Sequence, residues 1–126
     1  MFVTGSISDP RRGILALDRQ FDINLRSVAN VVRTAVPLMS DGGSIASIST
    51  AGAMHHTVFA GVADYVATKA AVAAYTRSWA RDLGPRGIRA NVIKPGPIDT
   101  GMAPTEAWVT CSRPASLSNA MARPKR

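Results

Sequence analysis

The chain has 126 residues, of which 46% are hydrophobic and 18% are charged, a composition typical of one compact domain with a real core. Its net charge of +7 comes partly from four bases in residues 113–126, and residues 1–112 carry eleven bases against eight acids. The body is thus only mildly basic and has no nucleic-acid-reading motif, so we expect no nucleic-acid partner. The chain has one cysteine, no signal peptide and no apolar run of about 18 residues. We therefore expect a cytoplasmic protein without a membrane partner.

The first predicted helix spans Asp18–Met39. Apolar side chains recur there at helical spacing, no glycine interrupts the segment, and Asp18 is suited to cap its start. Asp41-Gly42-Gly43 then predicts a turn. The segment Ser44–Ser49 is short and contains two β-branched isoleucines, which favours a buried strand, and Thr50–Gly61 is predicted to form a loop.

A second long helix is predicted from about Asp64 to Leu83, because this segment is rich in alanine and ends at Gly84-Pro85-Arg86-Gly87. The segment Ile88–Lys94 is then predicted to form a buried strand that ends at Pro95-Gly96-Pro97. Strand, long helix and strand predict a βαβ unit with parallel strands and a right-handed crossover. The fold class is therefore α/β, with the first helix covering the same parallel sheet.

Tyr65 and Lys69 stand four residues apart on the second helix, so their side chains share one face. A tyrosine is a poor acid or base near neutral pH, but a neighbouring ammonium favours the phenolate and lowers the tyrosine pKa. The pair is therefore a candidate for proton transfer. On its own, this spacing occurs on many helices and is weak evidence.

The pair lies within a longer series of ordered motifs: Phe21–Leu25, Gly42–Ile45, Asp64–Val72, Arg81–Asn91 and Pro95–Thr100. Together these motifs closely resemble the short-chain dehydrogenase/reductase family from Phe21 to about Ala103, roughly two thirds of the chain. The resemblance implies a partial Rossmann-like sheet and an oxidoreductase. Such an enzyme transfers a hydride between a small-molecule carbonyl or alcohol and NAD or NADP.

The resemblance also implies roles for individual residues. Tyr65 matches the general acid/base, and Lys69 matches the lysine that holds the nicotinamide ribose and lowers the tyrosine pKa. Asn24 matches an asparagine that supports a water relay to that lysine. Four residues of the turn after the last strand match positions that border the cofactor: Pro95, Gly96, Ile98 and Thr100.

The family also places a catalytic hydroxyl just beyond the strand, where it bonds the substrate oxygen. Alignment from the strand side assigns this role to Thr50, whereas alignment from Ala51-Gly52 assigns it to Ser49. Both remain candidates, and Ser49 is slightly favoured because a serine hydroxyl is less hindered. We expect no metal site at His55-His56, because adjacent side chains in an extended segment point to opposite faces and no cysteine or carboxylate cluster accompanies them.

The chain departs from the family at its start. Phe2–Ser6 resembles the opening of the glycine-rich, pyrophosphate-binding turn, but Asp9 and Arg11 occupy the places of the later glycines. The segment can instead correspond to the later strand that precedes Phe21 in the family, but the Asn-Asn-Ala-Gly sequence of that place is also missing, so both assignments stay open. We therefore assign residues 1–104 to a partial Rossmann-like catalytic domain and residues 105–126 to a basic, loosely ordered tail. The alternative function is an inactive fragment or an oligomerising interaction module without a cofactor site. The resemblance further implies a homo-oligomer that assembles through the two long helices.

Overall fold

A computed structural model of the chain describes residues 14–53 and 61–96. The first helical segment consists of α1 (Ile14–Phe21), a π-helical turn (Asp22–Arg26) and α2 (Ser27–Ala35), and ends in the 3-10 turn Val36–Leu38. The segment is therefore helical as predicted, but the prediction that Asp18 caps its start is wrong. The leucines and alanine before Asp18 are good helix formers, and they extend α1 towards the N-terminus.

The remaining elements follow the predicted order. Strand β1 (Ser44–Ile48) precedes a 3-10 turn (Ala51–Ala53), and helix α3 (Ala63–Leu83) precedes strand β2 (Arg89–Ile93). The strands pair in parallel, from Ser44 opposite Arg89 to Ile48 opposite Ile93. The predicted α/β class and the parallel βαβ unit are confirmed, and the predicted boundaries of β1, α3 and β2 lie within one residue of the observed ones.

The core lies between the helices and one face of the sheet. It contains two residues of α2, two of α3 and the residue before β2, namely Ala29, Val32, Trp79, Leu83 and Ile88. On the other face, the paired residues Ile48 and Ile93 are each 50% exposed. Within residues 14–53 and 61–96, the sheet is therefore covered on one face. None of the helices in these two ranges has the length and apolarity of a membrane-spanning segment.

Two glycine turns meet at the end of the sheet where both strands begin. Gly42 and Gly87 have φ angles of 79° and 65°, a region that favours glycine. The amide of Gly42 donates to the carbonyl of Arg86 (3.0 Å), and a Cβ on Gly87 would lie 3.6 Å from the Gly42 nitrogen. The contact between the two turns aligns the start of β1 with the start of β2.

The Arg86 side chain joins the same two turns. Its guanidinium donates to the carbonyls of Val36 (3.0 Å) and Met39 (2.5 Å) and to the Asp41 carboxylate (2.9 Å). The first two bonds satisfy carbonyls at the end of the helical segment. We expect Arg86→Met to lower the free energy of unfolding by about 1–3 kcal/mol, measured by chemical denaturation.

Asp41→Asn is the matched control. The ion pair between Arg86 and Asp41 is exposed, with 76% of the Asp41 side chain accessible, and such pairs contribute at most about 1 kcal/mol. Equal losses of stability in the two variants would show that the carbonyl contacts of Arg86 do not stabilise the fold.

Candidate active site

The candidate site lies where the second turn of α3 meets the carboxyl end of β1. Two hydrogen bonds run in opposite directions between them. Lys69 Nζ donates to the carbonyl of Ile48 (2.9 Å), and Ser49 Oγ donates to the carbonyl of Lys69 (2.7 Å). These bonds hold the helix turn that carries Tyr65 and Lys69 against the end of the strand.

The two candidate hydroxyls occupy different environments. Hydrogen bonding by the Thr50 side chain lowers the pKa of Tyr65, so Thr50 lies on the Tyr65 side of the strand end. The Ser49 side chain is instead buried, and its hydroxyl donates to the backbone of α3. Because consecutive residues of an extended segment point to opposite faces, only one of the two can face Tyr65. Of the two hydroxyls, Thr50 acts on the pKa of Tyr65, whereas Ser49 bonds the backbone of α3.

Burial shifts the pKa values of both residues of the pair. Desolvation raises the pKa of Tyr65, and the bond from Thr50 lowers it by a smaller amount. Desolvation also lowers the pKa of Lys69. The sequence predicts that Lys69 lowers the pKa of Tyr65, and that direction is wrong for the chain without a bound cofactor. The reason is that burial dominates while the Lys69 ammonium is bonded to the Ile48 carbonyl.

A titration can test the bond between Thr50 and Tyr65. Because this bond lowers the Tyr65 pKa, Thr50→Val is expected to raise that pKa further above its ordinary value. The measurement is the ¹³Cζ shift of the two tyrosines as a function of pH, with Tyr65→Phe assigning the signals. Ser49→Ala is the control and should leave the Tyr65 pKa unchanged. A Tyr65 pKa that rises in Ser49→Ala and not in Thr50→Val would contradict the structure.

Asn24 lies in the π-helical turn, which packs against α3, and it is only 4% exposed. A π-turn holds one extra residue per turn and is common at functional sites. One turn earlier, Gln20 is completely buried. Sequence reasoning did not single out Gln20, although its four-residue distance from Asn24 was a signal that both lie on one helix face.

The turn after β2 adjoins the loop after β1. The carbonyl of Pro95 accepts a hydrogen bond from the amide of Ala51 (3.0 Å), and a Cβ on Gly96 would meet no atom of the described residues within 4 Å. Pro95 and Gly96 therefore lie beside the carboxyl ends of both strands. The other positions assigned to this turn or discussed above lie outside the described residues: Ile98, Thr100, Asp9, Arg11 and His55-His56. Residues 14–53 and 61–96 contain no group of three potential metal ligands among His, Cys, Asp and Glu.

Comparison with known proteins gives consistent matches. The chain matches the family model described as enoyl-(acyl carrier protein) reductase over residues 14–113. The cyclic-di-GMP-binding biofilm dispersal mediator protein of Escherichia coli (strain K12) is 42% identical over 88 residues, which cover 70% of this chain and 37% of that protein. The 3-oxoacyl-(acyl-carrier-protein) reductase FabG of Thermotoga maritima is 36% identical over 103 residues, which cover 80% of this chain and 40% of that protein.

A solved structure agrees. The crystal structure of a short chain dehydrogenase from Burkholderia cenocepacia J2315 in complex with NADP is 36% identical and superposes with a TM-score of 0.75, covering 82% of this chain and 41% of that one. The chain thus spans about two fifths of the length of the proteins that it matches. The chain belongs to the short-chain dehydrogenase/reductase family, as its motifs predict.

Proposed function

We propose that this chain supplies the acid/base site of an NAD(P)-dependent oxidoreductase that interconverts a small-molecule carbonyl and an alcohol. The observation that carries the proposal is the hydrogen bond from Lys69 Nζ to the Ile48 carbonyl (2.9 Å), which holds the turn of α3 with Tyr65 and Lys69 at the carboxyl end of β1, next to Thr50. Ligands of open α/β sheets bind at the carboxyl ends of the strands. The family membership and the reductase relative support the same reaction class.

In this proposal, the Thr50 hydroxyl bonds the substrate oxygen and Tyr65 exchanges a proton with it. Because the pKa of Tyr65 is raised, its hydroxyl is protonated at neutral pH. A protonated phenol can donate to a carbonyl oxygen, so the site is suited to carbonyl reduction. Ser49 acts on the position of the helix turn and not on the substrate, since it is buried and bonds the Lys69 carbonyl. Asn24 supports the water relay to Lys69 that the motif predicts.

The described residues fit the nicotinamide-ribose end of a dinucleotide. The half-buried Lys69 ammonium can donate to ribose hydroxyls, and within the described residues no atom crowds Gly96 beside the strand ends. The nicotinamide would supply or accept the hydride, and Ile98 and Thr100 would border it as the motif predicts. The relative from Burkholderia cenocepacia, which binds NADP, supports this class of cofactor.

Cofactor binding is the test of this function. The whole chain is titrated with NADPH and NADH while nicotinamide fluorescence is followed. We expect saturable binding that weakens at least about tenfold in Lys69→Met, the loss of one charge-assisted bond. Arg77→Met is the control, since Arg77 lies on the exposed face of the same helix. No binding at millimolar cofactor would overturn the proposal.

A second candidate is an interaction module that keeps the helices but has lost the cofactor site. The observation that favours it is the sheet face around Ile48 and Ile93, which is half exposed within residues 14–53 and 61–96. The replacement of the later motif glycines by Asp9 and Arg11 points the same way. In that case, light scattering would show an oligomer built on the exposed apolar side chains of α1 and α2, while the cofactor titration would show no binding.

A further inference from the structure

Gln20 poses a problem of hydrogen bonding. It is 0% exposed, and neither its amide nitrogen nor its amide oxygen has a partner within the described part of the chain. Other buried polar side chains of this region are bonded, since Thr68 Oγ1 donates to the Tyr65 carbonyl (2.8 Å) and Thr76 Oγ1 to the Val72 carbonyl (2.8 Å). A buried amide without a partner is costly, and native proteins satisfy such groups with protein atoms or with internal water.

The topology places Gln20 in the interface between α1 and α3. Helix α1 packs against α3, and Gln20 is the buried residue of α1. The helical segment and α3 run in the same direction, because each leads into one of two parallel strands. Val32 and Trp79 belong to the same core cluster. Gln20 precedes Val32 by twelve residues and Thr68 precedes Trp79 by eleven. Because helices rise about 1.5 Å per residue, these spacings would set Gln20 and Thr68 at about the same level of the interface.

We propose that Gln20 binds an internal water molecule between α1 and α3, with Thr68 and Asn24 as the other polar walls of the site. A buried water needs two to four partners, and a carboxamide offers both donors and an acceptor. The Thr68 oxygen donates to the Tyr65 carbonyl and keeps its acceptor lone pairs. Asn24 follows Gln20 by about one turn, on the same face.

This water site differs from the predicted relay to Lys69. The Lys69 ammonium is bonded to the end of β1, whereas the proposed water lies in the helix interface. The water would connect α1 to the residue whose hydroxyl bonds the Tyr65 backbone. Gln20 is thus a positioning residue for Tyr65, and it acts through Thr68. The water site itself does not depend on the proposed enzymatic activity.

The test uses the isotope-labelled full chain without cofactor. We expect magnetisation transfer between the Gln20 side-chain amide protons and a long-lived water, and loss of this signal in Gln20→Met, a substitution of similar shape. Gln20→Met should lower the unfolding temperature by about 4–8 °C and shift the ¹³Cζ signal of Tyr65 without shifting that of Tyr75. Thr76→Val is the control, because Thr76 lies about two turns farther along α3 than Thr68 and has the same kind of bond, to the Val72 carbonyl, so the variant should leave the water signal in place.

Two results would overturn the proposal. If the amide has no partner at all, Gln20→Met removes an unsatisfied group, so the unfolding temperature rises and no water signal appears in the parent chain. If the amide instead bonds another segment of the chain, its protons show contacts to protein protons and not to water. Thr68→Val, which keeps the side-chain shape, should weaken the water signal even if Gln20→Met fails to fold. None of these measurements uses turnover or cofactor binding, so their failure is distinct from failure of the proposed function.

Discussion

Tyr65→Phe is expected to lower the rate of carbonyl reduction by about 10²–10⁴-fold, the usual contribution of a positioned general acid. The variant removes only the hydroxyl that would donate the proton, while the ring keeps its half-buried packing. Its unfolding transition and its affinity for NADPH should therefore stay close to those of the parent chain. The measurement is the steady-state oxidation of NADPH with a panel of small aldehydes and ketones.

Tyr75→Phe is the matched control, since Tyr75 stacks on Trp79 at a ring distance of 5.4 Å, farther along the same helix. It loses the same atom and should retain the full rate. A Tyr65→Phe variant that turns over as fast as Tyr75→Phe would remove Tyr65 from the mechanism and leave the interaction module as the better explanation of the chain.

Thr50→Val and Ser49→Ala are expected to affect different properties. Thr50→Val should lower kcat by about 10²–10³-fold, because it removes a hydrogen-bond donor aimed at the oxygen that gains charge in the transition state. Ser49→Ala should instead lower the free energy of unfolding by about 1 kcal/mol, because Ser49 bonds the Lys69 carbonyl. Turnover rates and chemical denaturation curves of both variants provide the comparison.

The opposite pattern would exchange the roles of the two hydroxyls. A large fall in kcat for Ser49→Ala with an active Thr50→Val would mean that the substrate approaches the buried side of the strand end. Thr50→Ser restores the hydroxyl without the methyl group. It should recover most of the rate if the hydroxyl is what matters, and its failure to do so would point to packing by the threonine methyl.

Much of the fold was predictable because glycine and proline residues clearly mark where its helices and strands end. The alanine-rich segment before Gly84-Pro85 predicts α3, and its flanking β-branched segments predict two strands that must then run parallel. The π-helical turn at Asn24 was not predictable, because local propensities hardly distinguish it from an α-helix. The domain boundary at residue 104 stays a prediction, since the residues around it lie outside the described ranges.

The sequence by itself determined the family and the residue types available for chemistry, because the motif from Tyr65 to Lys69 and its neighbours occur in a fixed order. The orientation of those side chains was decided only by the tertiary structure. Whether Ser49 or Thr50 faces Tyr65 depends on how β1 meets α3, and the pKa of Tyr65 depends on burial that no spacing reveals. Periodicity specifies the face of a helix, whereas contacts between elements distant in sequence set hydrogen-bond partners and desolvation.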